Sequence, residues 1–168
     1  MQDLKLHVVD IPDFPKTGIL FRDISPLLRR HFSETIEAID RLFTDAEWGD
    51  VDAVAGIESR GFILASALAD RRDKGFVPIR KKGKLPPPVV DIAYDLEYGT
   101  GVLEMQTGAG RLLLIDDVLA TGGTLAASAA LSRRAGYAVY RVGVLIDIGI
   151  APGFRCEGHT PRVVLQYG

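Results

Sequence analysis

The chain has 168 residues, with 20 Lys and Arg against 22 Asp and Glu, a formal net charge of −2, 47% hydrophobic and 25% charged content. At roughly 100–200 residues per domain these values predict one domain, residues 1–168, with a full core. The near-neutral balance leaves no broad cationic field to draw the chain to nucleic acid, and no basic amphipathic segment suggests a membrane anchor, so any basic patch is local.

Cys156 is the only cysteine, which rules out an intrachain disulfide and cysteine-pair zinc sites. The opening residues lack the basic-then-apolar layout of a signal peptide, and the longest apolar stretches fall far short of a membrane span. These features predict a soluble cytoplasmic protein.

Residues 11–28 are rich in Pro, Gly and Asp without helical period, which predicts an irregular arm crossing the surface. Beyond it, Ser33 is a candidate cap for a helix in which Ile36, Ile39, Leu42 and Phe43 recur at three- and four-residue steps, closing near Gly49. Residues 51–57 read as a buried strand running into the turn Glu58-Ser59-Arg60-Gly61 and then an apolar helix that ends in cations before Gly75. Residues 76–80 make a second strand. The basic turn Lys81-Lys82-Gly83-Lys84 and then Pro86-Pro87-Pro88 follow, a run that no helix or central strand accepts, so a mobile loop is predicted.

Residues 89–106 alternate in the manner of two strands folded about residues 97–101. Residues 111–115 form a compact aliphatic strand with Asp116 and Asp117 at its carboxyl end, followed by a glycine turn over 120–124, a helix over 125–135 and a further strand over 140–148. Strands alternating with helices predict a mostly parallel twisted sheet flanked by helices, with ligands outside the carboxyl ends of the strands.

The strongest chemical signal is the run from Leu112 to Thr124. A buried strand delivers Asp116 and Asp117 to its rim. A turn whose glycines can take positive φ then aims backbone N–H groups at one point, just before a helix N-terminus. Ala120, Thr121, Gly122, Gly123 and Thr124 thus make a candidate phosphate cradle, and the two carboxylates can accept hydrogen bonds from the vicinal hydroxyls of a ribose. Either half alone is common in loops; joined in this order they suit a sugar phosphate. There is no G-x-x-x-x-G-K-[ST] and no G-x-G-x-x-G after a strand, so nucleoside triphosphate hydrolysis and dinucleotide binding lose support.

This stretch resembles the phosphoribosyl diphosphate (PRPP) motif of type I phosphoribosyltransferases. Further segments are similar to the adenine phosphoribosyltransferases: Pro12-Asp13-Phe14-Pro15, the run from Gly18 through Leu20-Phe21-Arg22 to Leu27, Gly56-Ile57-Glu58-Ser59-Arg60-Gly61-Phe62, Arg80-Lys81-Lys82-Gly83-Lys84-Leu85-Pro86 and Leu96-Glu97-Tyr98-Gly99. The resemblance implies an α/β fold of the type I kind, with a base-binding arm (1–32), a core (50–148) and a mobile catalytic loop (81–105). The implied reaction is adenine plus PRPP giving AMP and diphosphate, in a homodimer, with Mg²⁺ bound mainly through PRPP oxygens. His7, His31 and His159 show no ligand spacing of their own.

Displacement at the ribose C1′ passes through an oxocarbenium-like state, so the protein chiefly holds the sugar and neutralises the leaving group. Ser59, Arg60, Arg80, Lys81 and Lys84 are the expected contacts to the diphosphate, and the resemblance implies that Arg80 reaches a neighbouring subunit's site and that the Glu58-Ser59 peptide is cis. Glu97 matches the family's loop carboxylate near N7 of the base, with Tyr98 closing the site beside it. Leu20 and Arg22 can read the N6 donor and N1 acceptor of adenine through backbone C=O and N–H, with Phe21 against the ring. A phosphoribosyltransferase for another purine base and a non-catalytic PRPP-sensing regulator are the alternatives.

Pro87 and Pro88 stand where the family commonly has Gly next, Gly108-Ala109-Gly110 shortens the entry to the last motif strand, and the chain after Ile148 resembles the family only loosely.

Overall fold

The computed structural model describes residues 4–96 and 99–167. After a short 3₁₀ helix, Leu4–His7, come strands β1 (Val9–Pro12) and β2 (Leu20–Asp23), helices α1 (Ser25–Arg30), α2 (Phe32–Asp40) and α3 (Asp45–Asp50), strand β3 (Ala53–Ile57) and helix α4 (Arg60–Arg71). Strands β4 (Gly75–Lys81), β5 (Val89–Leu96), β6 (Gly99–Gln106) and β7 (Gly110–Leu119) follow, then α5 (Gly123–Arg134), β8 (Tyr137–Asp147) and β9 (Arg162–Gln166).

The aliphatic run of β7 organises the core. Leu112, Leu113, Leu114 and Ile115 are all fully buried, as expected of a central strand covered on both faces. Successive side chains point to opposite faces: Leu113 and Ile115 join the cluster beneath α2 and α4 that includes Ile39, Leu64 and Leu68, while Leu112 and Leu114 join Ala129 and Leu131 of α5 with Ile57 and Ile79. Each buried Leu or Ile contributes about 1.5–3 kcal/mol by leaving water.

The main sheet has seven strands in the order β5-β6-β4-β3-β7-β8-β9. β4, β3, β7, β8 and β9 run parallel. β5 and β6 form an antiparallel hairpin joined to β4 at Arg80 opposite Glu104 and Lys81 opposite Leu103. The doubly covered, mostly parallel sheet is the architecture the alternating pattern predicts.

Several boundaries differ from expectation. The arm is not irregular: β1 and β2 pair antiparallel, with Asp10 opposite Arg22 and the two side chains in an ion pair. The turn chemistry sits in the connection between them, where Asp13 takes φ 55° and Gly18 φ 86°, and the Gly18 N–H donates to Asp13 Oδ1 at 2.7 Å. The helix expected from Ser33 to near Gly49 is two helices. Ser33 caps nothing, because α2 starts one residue earlier with His31 at its N-cap. α3 starts at a capping box in which Thr44 Oγ1 accepts from the Glu47 N–H and Glu47 Oε2 accepts from the Thr44 N–H.

β7 runs on to Leu119, so Asp116 and Asp117 belong to the strand rather than lying beyond it, with Asp116 opposite Val144 of β8. β9 was not foreseen. It adds a parallel edge strand, pairing Val163 with Val144 and Leu165 with Ile146.

Candidate active site

The carboxyl ends of β3, β4 and β7 and the N-termini of α4 and α5 meet at one edge of the sheet, the place where parallel sheets bind ligands. Two glycines permit the approach. A Cβ on Gly61 would stand 2.9 Å from Asp116 Oδ1 and 3.1 Å from the Ile115 carbonyl, and one on Gly56 would stand 2.7 Å from Ala65 Cβ. The first turn of α4 therefore lies directly on the acidic end of β7.

Asp116 and Asp117 are both buried at 8% exposure. Asp116 Oδ1 accepts the Asp117 N–H at 2.9 Å. Burial, and then the neighbouring Asp117 charge, push the Asp116 carboxyl well above the ordinary carboxylate range. Asp117 Oδ2 pairs with Arg60 Nη2 at 2.5 Å.

The turn after β7 has the form a phosphate requires. Gly122 takes φ 87° at the N-cap of α5, its carbonyl accepts the Ala126 N–H at 2.9 Å, and the Gly123 N–H points back to Thr121 Oγ1 at 3.5 Å. Ala120, Thr121, Gly122, Gly123 and Thr124 line a cavity of about 50 Å³, and the Phe154 ring lies where a Gly122 side chain would go.

Ser59 is the N-cap of α4, the Glu58-Ser59 peptide is cis as the resemblance implies, and Arg60 is the first residue of the helix. The Arg60 guanidinium reaches the Arg22 carbonyl at 3.4 Å and stands 4.8 Å over the Phe21 ring. The arm is thereby drawn to the acidic end of β7. On the arm, Leu20 is 49% exposed, Phe21 meets Phe14 edge-on at 5.1 Å, and the Arg22 guanidinium lies 4.2 Å over the Tyr167 ring.

Arg80 donates through Nε to Glu58 Oε2 at 3.3 Å and through Nη1 to the Lys84 carbonyl, also at 3.3 Å; the Lys81 N–H donates to the same Glu58 oxygen at 3.0 Å. These bonds outweigh burial and hold the Glu58 carboxyl below its ordinary value. The Lys81 and Lys84 side chains are exposed. Glu97 and Tyr98 lie outside the described residues.

The structure thus brings together Asp116, Asp117, the 120–124 turn, Ser59, Arg60 and the arm residues, with the Arg80–Lys84 turn joined to them through Glu58. Sequence reasoning assigned no role to the end of β8 or to the segment after it. Yet Asp147, Gly149, Phe154 and Tyr167, with Leu119, line a cavity of about 310 Å³ beside the phosphate turn. Its signal was the Gly-Pro-rich stretch at 149–153, which reads only as a loop.

A parallel sheet that presents paired carboxylates, a glycine turn and a helix N-terminus in sequence defines the phosphoribosyltransferase class of site, and residues 29–154 match the phosphoribosyl transferase domain family. An adenine phosphoribosyltransferase of Hydrogenovibrio crunogenus is 52% identical over 165 residues, covering 98% of this chain and 96% of that protein. The crystal structure of the Thermoanaerobacter pseudethanolicus adenine phosphoribosyltransferase has a TM-score of 0.89 at 36% identity, covering 99% of both chains. The Saccharomyces cerevisiae enzyme, solved with an imino-altritol bisphosphate and adenine, has a TM-score of 0.85 at 31% identity, over 96% of this chain and 95% of that one. The chain belongs to the adenine phosphoribosyltransferases.

Proposed function

We propose that the protein transfers the 5-phosphoribosyl group from PRPP to adenine, giving AMP and diphosphate, a purine-salvage reaction. The observation that carries this reading is the Arg60 guanidinium, which spans from Asp117 on the ribose side to the Arg22 carbonyl and the Phe21 face on the base side.

In this reading Asp116 and Asp117 hold the ribose hydroxyls, and the 120–124 turn holds the 5-phosphate on its N–H groups and the Thr121 and Thr124 hydroxyls. Ser59, Arg60, Arg80, Lys81 and Lys84 take the diphosphate. As the C1′–O bond breaks, positive charge grows on the ribose and negative charge on the leaving group, so the fixed Asp117 carboxylate on one side and the cations on the other favour the transition state without a protein nucleophile. Glu97 manages the purine proton as N9 attacks, and Tyr98 closes with it. Leu20 and Arg22 read the adenine edge through their backbones, and Phe21 covers the ring.

Mg²⁺ requires hard oxygen donors. Among the described residues no cluster of three or more potential ligands is assembled, so an ion would be held mainly through the oxygens of PRPP itself, with Asp116 and Asp117 as the carboxylates at hand. Its contribution when bound is to neutralise charge on the diphosphate.

The division into a base-binding arm (1–32), a core (50–148) and a closing loop (81–105) belongs to the same proposal. So does a homodimer in which Arg80 serves the neighbouring site, supported by the exposed Ile63 and Phe76 on the adjoining α4 and β4. A cytoplasmic location belongs to the same reading, supported by a chain with a single cysteine, Cys156.

The test is product formation from PRPP, adenine and Mg²⁺. Stoichiometric AMP and diphosphate are expected; PRPP binding without turnover would favour a PRPP sensor instead.

A further inference from the structure

Glu104 is a buried carboxylate that the mechanism above does not use. It lies on β6 opposite Arg80 of β4 and Asp91 of β5, only 3% exposed, between Leu103 and Met105, which pack into the core under α5. Its Oε2 accepts the Gly83 N–H at 2.9 Å, and its Oε1 accepts the N–H groups of Lys84 and Leu85, each at 2.6 Å. Successive amides converging on one anion are the geometry with which turns bind phosphate, and here the anion is the protein's own side chain. The amide bonds, that of Gly83 foremost, outweigh burial and hold the Glu104 carboxyl below its ordinary value.

The rest of the turn is fixed in the same manner. Glu58 takes the Lys81 N–H at 3.0 Å and Arg80 Nε at 3.3 Å, and Lys82 Nζ pairs with Asp91 at 2.7 Å. Gly83, at φ 84°, lets the chain bend back toward Glu104. The basic turn between β4 and β5 is therefore held at its start by one carboxylate and at its end by another, while the Lys81 and Lys84 side chains stand exposed.

We propose that Glu104 is a positioning residue for phosphoribosyl transfer: by gathering the amides of Gly83, Lys84 and Leu85 it fixes the backbone from which Lys84 meets the departing diphosphate. The inference rests on the reading of Lys84 as a PRPP contact. A carboxylate is the side chain this task calls for. It offers acceptor sites on both oxygens and no donor, whereas an amide offers one oxygen and aims its NH₂ at a backbone N–H.

The test is a double-mutant cycle between Glu104→Gln and Lys84→Ala, read as KM for PRPP, KM for adenine at saturating PRPP, and hydrogen exchange at residues 83–85. Glu104→Gln is expected to raise KM for PRPP about tenfold, the scale of losing a charge-assisted hydrogen bond, to leave KM for adenine within about twofold, and to speed exchange at those amides. Lys84→Ala alone should raise KM for PRPP comparably, and in the Gln background should add less than about twofold, because the two act through one contact. Glu104→Asp, which keeps the charge at shorter reach, should recover part of the loss.

A strong Lys84→Ala effect beside an unchanged KM in Glu104→Gln would overturn the positioning role and leave the Lys84 reading intact. Full additivity in the double variant would overturn it too. No effect of Lys84→Ala would remove the underlying reading and this inference with it. Failure of both Glu104 variants to fold would assign the residue to stability and overturn the proposal.

Discussion

Arg60 and Asp117 approach to 2.5 Å, and the same Arg60 guanidinium reaches the Arg22 carbonyl at 3.4 Å. One cation at the first turn of α4 therefore ties the ribose end of the site to the arm that reads the base. Asp117→Asn replaces an acceptor-only carboxylate with an amide that has one acceptor oxygen and no charge for Arg60. We predict that it weakens PRPP binding about tenfold and that Asp116→Asn with Asp117→Asn is worse. Calorimetric titration with PRPP measures this, and wild-type affinity in the double variant would remove the diol-binding role.

The phosphate turn depends on Gly122. At φ 87° an L-residue is strained, and a Cβ there would run into the Phe154 ring. Gly122→Ala should lower stability by about 1–3 kcal/mol and weaken PRPP binding, with KM for PRPP rising more than KM for adenine. A thermal melt combined with the two KM values separates these effects. Unchanged PRPP affinity would mean that the turn carries no phosphate.

A third prediction concerns stability and pH, away from the site. Glu47 accepts from Arg162 Nη2 and Nη1 at 2.6 and 2.7 Å, from Arg141 Nε at 2.9 Å and from the Thr44 N–H at 2.9 Å. The Arg162 bond, followed by the Thr44 amide, holds its carboxyl far below the ordinary value of 4.5. Because the folded form binds this proton less readily, the stabilisation is complete above the unfolded value and is lost as pH falls through it toward the folded one. Glu47→Gln should cost about 2 kcal/mol at neutral pH, or about 4–8 °C in melting temperature, and should flatten the acid limb of the stability profile. Melts of the two proteins from neutral to acid pH test this; parallel curves would contradict it.

Glu97→Gln keeps side-chain volume and hydrogen-bonding reach while removing proton exchange. Single-turnover AMP formation at saturating PRPP and adenine should fall by about one decade or more if the carboxylate manages the purine proton, with PRPP affinity nearly unchanged. Near wild-type rates would leave a transferase that works by positioning and charge neutralisation alone.

What the sequence disclosed and what it concealed divide by range. The β7–α5 unit was legible because strand, acids, glycine turn and helix are contiguous, and each contributes by local geometry. The strand still proved longer than its aliphatic run, since Asp116 is paired by β8 and not by its own propensity. The β1–β2 hairpin was hidden because Pro, Gly and Asp in its connection dominate the local composition. Thr44 and Glu47 spell a capping box, but the apolar spacing through Leu42 and Phe43 suggested that α2 continued. Glu104 could not have been found. A lone acid among alternating strand residues reads as solvent-facing, and its partners lie about twenty residues earlier.

The central claim is that adenine is the base, read by the backbones of Leu20 and Arg22. Adenine presents an N6 donor and an N1 acceptor, and a 6-oxopurine reverses both, leaving two buried groups unpaired at about 1–3 kcal/mol each. The most direct measurement gives the enzyme limiting PRPP with Mg²⁺ and an equimolar mixture of adenine, hypoxanthine, guanine and xanthine, and resolves the nucleotides formed. The account predicts AMP in excess of each other nucleotide by about a hundredfold or more. Comparable amounts of any 6-oxopurine nucleotide would contradict it.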